Sequence, residues 1–243
     1  MLSGPLSPLQ RRPCAAVVPG DRIARYRTLT EPEMTTMPTS RLEAFSDGVM
    51  AVILTIMVLE IHVPEGHDWA ALASSGLGMG LLTYLLSFIY VGIYWNNHHH
   101  MFQITERITG GALWANLHLL FWLSLLPLTT AWLDASSFAR IPAIVYGFDL
   151  LALAVAYFIL QSVIIRSQGA GSTLRTAVGR DLKGKLSAVL YIVGIVCAIL
   201  GSAESPALVF TGVAFFAGVA VLWLIPDRRI ERRLAAGGQE SSI

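Results

Sequence analysis

Residues 186–226 read LSAVLYIVGIVCAILGSAESPALVFTGVAFFAGVAVLWLIP, and Glu204 is the only charged residue among them. A bilayer core about 30 Å thick is crossed by about 20 apolar residues in an α-helix. The apolar runs on the two sides of Glu204 are close to this length, and Pro206 suits the first position of a helix. The stretch therefore predicts two membrane-spanning helices joined by a short turn.

The same pattern continues toward the N-terminus. Residues 69–105 and 108–133 contain no Asp, Glu, Lys or Arg, and Asp149 is the only such residue within 141–165. Of the 243 residues in the chain, 54% are hydrophobic and 14% are charged, and the mean hydropathy is +0.61. We therefore predict an all-α integral membrane protein with six spans, at residues 41–63, 74–96, 110–133, 142–165, 186–203 and 206–225.

The composition also excludes several classes of protein. The scarcity of charged residues excludes a disordered chain and a coiled coil. The formal net charge is only +1, so the basic excess of a nucleic-acid-binding protein is missing and no nucleic-acid partner is expected. The two cysteines, Cys14 and Cys197, are far apart, which favours neither a disulfide framework nor a cysteine metal site.

The basic residues predict the orientation in the membrane. Of the 17 Lys and Arg residues, all except Arg140 fall in the tails or in the loops that six spans place on one side. Cytoplasmic loops carry an excess of Lys and Arg. We therefore predict that both termini are cytoplasmic, which agrees with an even number of spans.

The spans divide the chain into three regions. Residues 1–40 are rich in Pro, Ser, Thr and Arg and lack a secretory signal, so we expect a flexible cytoplasmic tail. We also interpret this tail as an artefact of start-codon choice, because Met34 or Met37 would begin the chain just before the first span. Residues 41–226 form the six-helix membrane domain, and residues 227–243 form a basic cytoplasmic tail.

The first span is unusual because it carries acidic residues. Ser40 and Glu43 match a capping box in which Ser40 caps the helix. Asp47 and Ser46 lie about two turns inside the span, where neither is needed for capping. Ionisable groups inside a membrane are usually functional or specifically paired. The sequence therefore indicates a special role for this part of the first span.

One face of the first span is apolar. Its residues follow the i, i+3, i+4, i+7 spacing of a helical stripe and are Val52, Thr55, Ile56 and Leu59. Asp47 and Ser46 fall roughly 130° away from this stripe, at about 100° per residue. Such a stripe is more typical of ordinary helix packing than of a pore lining, and its spacing alone leaves both open.

The first three spans resemble a known family. Residues 41–48 read RLEAFSDG, which resembles the RxxxFSD signature of the transmembrane protein 175 family of potassium channels. Residues 94–102 (YWNNHHHMF) and 113–117 (LWANL) are also similar to that family, and the likeness covers about residues 38–133. Bacterial members have one six-helix repeat and form homotetramers, whereas animal members have two repeats and form dimers.

This resemblance implies a function. It implies a potassium-permeable cation channel in a bacterial plasma membrane, with a central pore lined by the first helix of four subunits. K⁺ would pass passively through a hydrophobic constriction with modest selectivity over Na⁺ and other monovalent cations. No cofactor and no enzymatic activity are expected. The pore-lining residues carried over from the family are Val52, Thr55, Ile56 and Leu59.

The resemblance also assigns roles to the signature residues. The motif residues with an expected structural or assembly role are Arg41, Phe45, Ser46 and Asp47. Because Ser46 and Asp47 point away from the stripe, we expect them to form hydrogen bonds with other helices. The predicted partners are Asn96, His98, Asn116 and His118.

Two other interpretations are weighed against the channel. Three adjacent histidines, His98 to His100, suggest a metal site, but neighbouring residues of a helix point in different directions and no further ligand is nearby. The alternative function is an ion- or proton-coupled transporter that uses the intramembrane residues Asp47 and Asp149. The sequence lacks the paired broken helices and internal symmetry of such transporters.

Overall fold

Six helices of the computed structural model are long and apolar enough to cross a membrane. They are α1 (Thr39–Met57), α3 (Leu77–Gln103), α4 (Gly110–Ala135), α5 (Arg140–Gln168), α7 (Leu182–Leu200) and α8 (Pro206–Leu224). The structure describes residues 38–105, 108–179, 181–202 and 206–224, and the count of six applies to these residues. The predicted all-α architecture is confirmed, and the chain is an integral, multi-pass membrane protein.

Short elements connect the long helices. A 3₁₀ turn (Val58–Glu60) extends α1, and the short helix α2 (Trp69–Ser74) precedes α3. Gly76 joins α2 to α3 with a φ of 72°, a left-handed conformation that glycine adopts without strain. On the other side of the molecule, α6 (Thr173–Val178) lies between α5 and α7.

Two predicted helix boundaries are wrong. The second span was expected to end at residue 96, but α3 continues to Gln103 because its polar side chains find partners on α1 and α4. The capping box is also wrong, since α1 begins at Thr39 and no side chain caps it. Ser40 therefore lies inside α1, and Glu43 bonds to a neighbouring helix instead. Residues 1–37 and 225–243 lie outside the described part, so the two predicted tails stay predictions there. Residues 39 and 40, which were assigned to the N-terminal tail, belong to α1.

The helices pack in a definite order around a leucine-rich centre. α4 packs against α5, α5 against α7, and α7 against α8, whereas α1 packs against α3 and α4. Most of the large, fully buried side chains of α4 and α5 are leucines, among them Leu123 and Leu153, and Tyr146 of α5 is buried with them. Because α1 packs mainly on two neighbours, it lies at one edge of the bundle and keeps one face free.

Glycines bring the last helices close together. A Cβ atom at Gly212 of α8 would lie 2.5 Å from the carbonyl oxygen of Gly194 on α7. The Phe216 ring of α8 fills the space above Gly194 and Gly147, the latter on α5. Small residues of this kind allow close helix contact within a membrane. The contact among α5, α7 and α8 therefore depends on the absence of three side chains.

Candidate functional site

The first helix has two very different faces. Its buried face packs on α3 and α4 and is made of Leu42, Ser46, Met50, Ile53 and Met57. The opposite face is exposed along the whole helix. This contrast arises because the buried positions repeat every three to four residues, as an α-helix requires.

The exposed face contains the predicted stripe. Val52 is 55% exposed, Ile56 is 43% exposed and Leu59 is 78% exposed, and Thr55 lies between them on the same surface. Phe45 lies on this surface as well, one turn above the start of the helix. All four predicted pore residues thus point away from their own subunit, toward lipid or another protein.

The hydroxyl group of Thr55 is held by its own helix. Its Oγ1 lies 2.9 Å from the carbonyl oxygen of Val52 and 3.1 Å from that of Ala51, so its one hydrogen is donated to the backbone. The remaining lone pairs of the hydroxyl have no donor partner in the described chain. Thr55 therefore presents a hydrogen-bond acceptor on an otherwise apolar surface.

A chain of three polar side chains fixes the other side of α1. His98 Nε2 of α3 lies 2.8 Å from Asn116 Oδ1 of α4, and Asn116 Nδ2 donates to Ser46 Oγ over 2.9 Å. Ser46 in turn donates to the carbonyl oxygen of Leu42. Since the Asn116 amide donates to Ser46, its oxygen faces His98, and Nε2 of that histidine must carry the proton. The three side chains are fully buried and join three helices.

The acidic residues of α1 bond to two side chains of α3. Trp95 Nε1 donates to Asp47 Oδ1 over 3.0 Å, and His99 Nδ1 lies 2.5 Å from Glu43 Oε1. The Trp95 and His99 rings stack with their centroids 5.9 Å apart and their planes inclined by 12°. The sequence analysis missed both pairs. The sequence carried a signal for them in its spacing. Glu43 and Asp47 lie four residues apart on α1, and Trp95 and His99 lie four residues apart on α3.

The other predicted residues lie elsewhere. Asn96 and Arg41 are exposed, and no hydrogen bond joins either side chain to a neighbour in the described part. His118 accepts a hydrogen bond from Trp122, four residues later on the same helix. Of the four expected partners, Asn116 bonds to Ser46 and His98 bonds to Asn116, whereas Asp47 bonds to Trp95, which was not among them.

A groove continues the exposed face of α1 toward α4. Its volume is about 790 Å³, and its lining includes Val52, Ile56, Glu60, Ser124, Pro127 and Leu128. The lining is almost entirely apolar, and Glu60 lies at the end where α1 passes into its 3₁₀ turn. The groove is therefore shaped to receive an apolar helix or an acyl chain.

The described residues contain no group of three or more His, Cys, Asp or Glu side chains that could hold a metal ion. Two of the three adjacent histidines have protein partners instead, since His98 faces Asn116 and His99 faces Glu43. Asp149 lies apart from the stripe, on α5, and its Oδ2 atom lies 2.9 Å from Thr129 Oγ1 of α4.

Comparison with known proteins identifies the family. Residues 41–127 match the family model described as the endosomal/lysosomal potassium channel TMEM175. A potassium channel of Chryseobacterium sp. (strain P1-3) is 50% identical over 198 residues, which cover 82% of this chain and 98% of that protein. The mouse (Mus musculus) endosomal/lysosomal proton channel TMEM175 is 36% identical over 112 residues, which cover 42% of this chain and 22% of that protein.

A solved structure has the same fold. It is the crystal structure of a TMEM175 homolog from Chamaesiphon minutus, described as a lysosomal potassium-selective channel homolog. The TM-score is 0.61 with 27% identity, and the match covers 77% of this chain and 96% of the other. The matched residues 41–127 include the RxxxFSD signature and the chain of Ser46, Asn116 and His98. The similarity in sequence and in fold shows that the protein belongs to the TMEM175 family of potassium channels.

Proposed function

We propose that this chain forms a potassium channel in which four subunits surround a central pore lined by the exposed face of α1. The observation that carries this proposal is the contrast between the two faces of that helix. One face is fixed to α3 and α4 by buried hydrogen bonds, and the other presents a continuous apolar surface with one hydroxyl acceptor. The names of the bacterial relatives support the assignment of K⁺ as the permeant ion.

Ion selection follows from the chemistry of this face. Four copies of Val52, Ile56 and Leu59 would narrow the pore with side chains that offer an ion no ligands. A cation must then lose part of its hydration shell, and K⁺ loses less hydration free energy than Na⁺ does. The acceptor lone pairs of four Thr55 hydroxyls would replace part of the lost shell. The expected result is passive conduction with modest preference for K⁺.

The groove between α1 and α4 supports assembly with other copies of the chain. An apolar helix of a neighbouring copy could pack on the α4 side of the groove, at Ser124 and Leu128, and leave Val52, Ile56 and Glu60 open to the pore. Glu60 lies at one end of the stripe, where four carboxylates would attract cations to the pore entrance.

The orientation predicted from the basic residues favours an entrance on the outside of the cell. All the Lys and Arg residues except Arg140 fall on the side of the termini, which supports cytoplasmic termini. The end of α1 that carries Glu60 then faces outward. The bacterial relative that matches most of the chain supports a bacterial plasma membrane as the location.

The test is electrical recording of the purified full-length chain in planar lipid bilayers. A channel gives discrete current steps driven by a K⁺ gradient alone. Strict coupling to a proton or Na⁺ gradient, without steps, would instead indicate the transporter that uses Asp47 and Asp149. Proton current is measured in the same bilayers, because the animal relatives are named as proton channels.

The pore assignment is tested with a matched pair of variants. Ile56→Ala, at a residue 43% exposed on the stripe, is expected to change the ratio of Na⁺ to K⁺ permeability. Ile199→Ala, at a residue 44% exposed on α7, is expected to leave the ratio unchanged. Equal ratios in both variants and the wild type would contradict a pore lined by α1.

A further inference from the structure

Asp149 is a carboxyl group buried deep in the membrane domain. It lies on α5 (Arg140–Gln168) and only 2% of its surface is exposed. About 13 Å of helix separates it from Arg140 at 1.5 Å per residue. In a bilayer core about 30 Å thick this position is near the centre. The channel mechanism assigns no task to this side chain, because the exposed stripe lies on a different helix.

In the described residues, only one of the two carboxyl oxygens of Asp149 has a hydrogen-bond partner. Thr129 Oγ1 of α4 lies 2.9 Å from Asp149 Oδ2, and no hydrogen-bond partner in the described residues reaches Oδ1. The same Thr129 Oγ1 lies 3.2 Å from the carbonyl oxygen of Leu126. Thr129 therefore has one hydrogen for two acceptors.

No positive charge compensates this carboxyl group. The ionisable side chains that face it are the phenols of Tyr94 on α3 and Tyr146 on α5. The other helices packed against α5 bring no cation to this level, since α4 and α8 contain no Lys or Arg and those of α7 lie in its first turn. An ionised carboxylate would be isolated here with one hydrogen bond, which is highly unfavourable in an apolar core.

We propose that Asp149 is a proton-binding site inside each subunit, where it holds one proton as a neutral carboxylic acid. With the proton on Oδ2, the acid donates to Thr129 Oγ1, and the hydrogen of Thr129 goes to the carbonyl oxygen of Leu126. Every hydrogen then has an acceptor. The oxygen left without a partner, Oδ1, carries no full charge, so its burial costs much less than that of a carboxylate oxygen.

The bound proton links folding to pH. At neutral pH an aspartate in the unfolded chain is ionised, so the folded subunit holds one proton more than the unfolded chain. Stability must then fall as the pH rises. Between about pH 6 and about pH 9, we expect the apparent melting temperature of the full-length protein in detergent to fall by about 3 °C or more through this group.

The direct test is infrared spectroscopy of the full-length protein in lipid at neutral pH. The wild type is expected to show the carbonyl stretch of a protonated carboxylic acid, and Asp149→Asn is expected to lose that band. Asp134→Asn serves as the control, because Asp134 is a half-buried carboxyl at the end of α4. Asp149→Asn is also expected to lose the fall in melting temperature with pH, whereas Asp134→Asn keeps it.

Two results would overturn the proposal. One is a wild-type spectrum without the acid band. The other is a melting temperature that rises with added K⁺ or Na⁺ in the wild type but not in Asp149→Asn, which would make Asp149 a cation site. If Asp149→Asn fails to fold, Thr129→Val replaces it: the acid band must shift when its acceptor is removed, and an unshifted band contradicts the geometry. None of these measurements uses ion flux, so they are independent of the proposed channel.

Discussion

The two halves of the bundle are held together in different ways. α1, α3 and α4 are joined by directional bonds between polar side chains, from His98 through Asn116 to Ser46 and from Trp95 to Asp47. α7 and α8 are joined by close backbone contact between Gly194 and Gly212, and the Phe216 ring of α8 packs on Gly194 and on Gly147 of α5.

The difference lies in what each kind of contact controls. Glycine contacts set the distance between two helices, and they restrict rotation through the bulk of the side chains that flank each glycine. Hydrogen bonds from a side chain require one rotation, because a turn of the helix would carry the donor away from its acceptor. The polar half is therefore the half that keeps the stripe of α1 pointing away from its own subunit, as a pore lining needs.

The largest expected effect is in the glycine half. Gly212→Ala places a Cβ atom 2.5 Å from the Gly194 carbonyl oxygen, so α7 and α8 must separate. We expect a loss of about 3 kcal/mol of stability, measured by thermal unfolding in detergent. Gly218→Ala on the same helix is the control, since a Cβ atom there meets nothing within 4 Å. Equal melting temperatures for the two variants would contradict the close contact.

The next effect is in the polar half. Asn116→Ala leaves the buried Ser46 and His98 without their common partner, and we expect a loss of about 2 kcal/mol. The K⁺ preference of the surviving channels should also fall, because α1 loses the bond to α4 and is held in rotation only by its bonds to α3. Asn96→Ala removes an exposed amide without a hydrogen-bond partner and should change neither quantity. A destabilised Asn116→Ala channel that keeps the wild-type K⁺ preference would contradict a role of this bond in fixing the rotation of α1.

A smaller effect is expected at the bond between Trp95 and Asp47. Trp95→Phe removes the indole N–H but keeps an aromatic ring beside His99, so we expect a loss of about 1 kcal/mol. Trp114→Phe is the matched control, because Trp114 is highly exposed on α4. Thermal unfolding in detergent measures the stability of both variants. A Trp114→Phe protein that is less stable than Trp95→Phe would contradict a stabilising bond between Trp95 and Asp47.

The smallest effect on stability is expected at the stripe. Thr55→Val removes a hydroxyl bonded only to its own helix, so stability should change by less than about 0.5 kcal/mol. The permeability ratio of K⁺ to Na⁺ should fall by about threefold, equivalent to ~0.6 kcal/mol. Thr211→Val on α8 removes a hydroxyl with the same kind of bond, to the Ala207 carbonyl oxygen, and should leave the ratio unchanged. Bi-ionic reversal potentials give both ratios.

The sequence predicted the six helices well because hydropathy measures the length of an apolar segment. It also predicted the stripe of α1, since helical periodicity gives the direction of each side chain relative to its neighbours on the same helix. The bond partners were harder, because periodicity does not say which residue of another helix lies opposite. Asn116 and His98 were two of four candidates expected for Ser46 and Asp47 because polar groups buried in lipid must find partners, whereas Trp95 and His99 were missed as partners of α1.

The end of α3 illustrates the same limit. Hydropathy ended the second span at residue 96 because two asparagines and three histidines follow. The helix continues because His98 and His99 bond to side chains of α4 and α1. The glycine contacts were missed for a related reason: a missing side chain gives no periodic signal, and its importance depends on which atoms of the next helix approach it.

The free face of α1 also bears on how the protein is made. Acyl chains solvate Val52, Ile56 and Leu59 as well as protein does, so apart from the Thr55 hydroxyl and Glu60 at its end, a newly inserted subunit exposes little along this face that the bilayer disfavours. Any association through the face gains free energy from shape and close packing and not from the release of water. The balance between single and associated subunits is then set by how many copies share a given area of membrane, so the rate of synthesis acts directly on assembly.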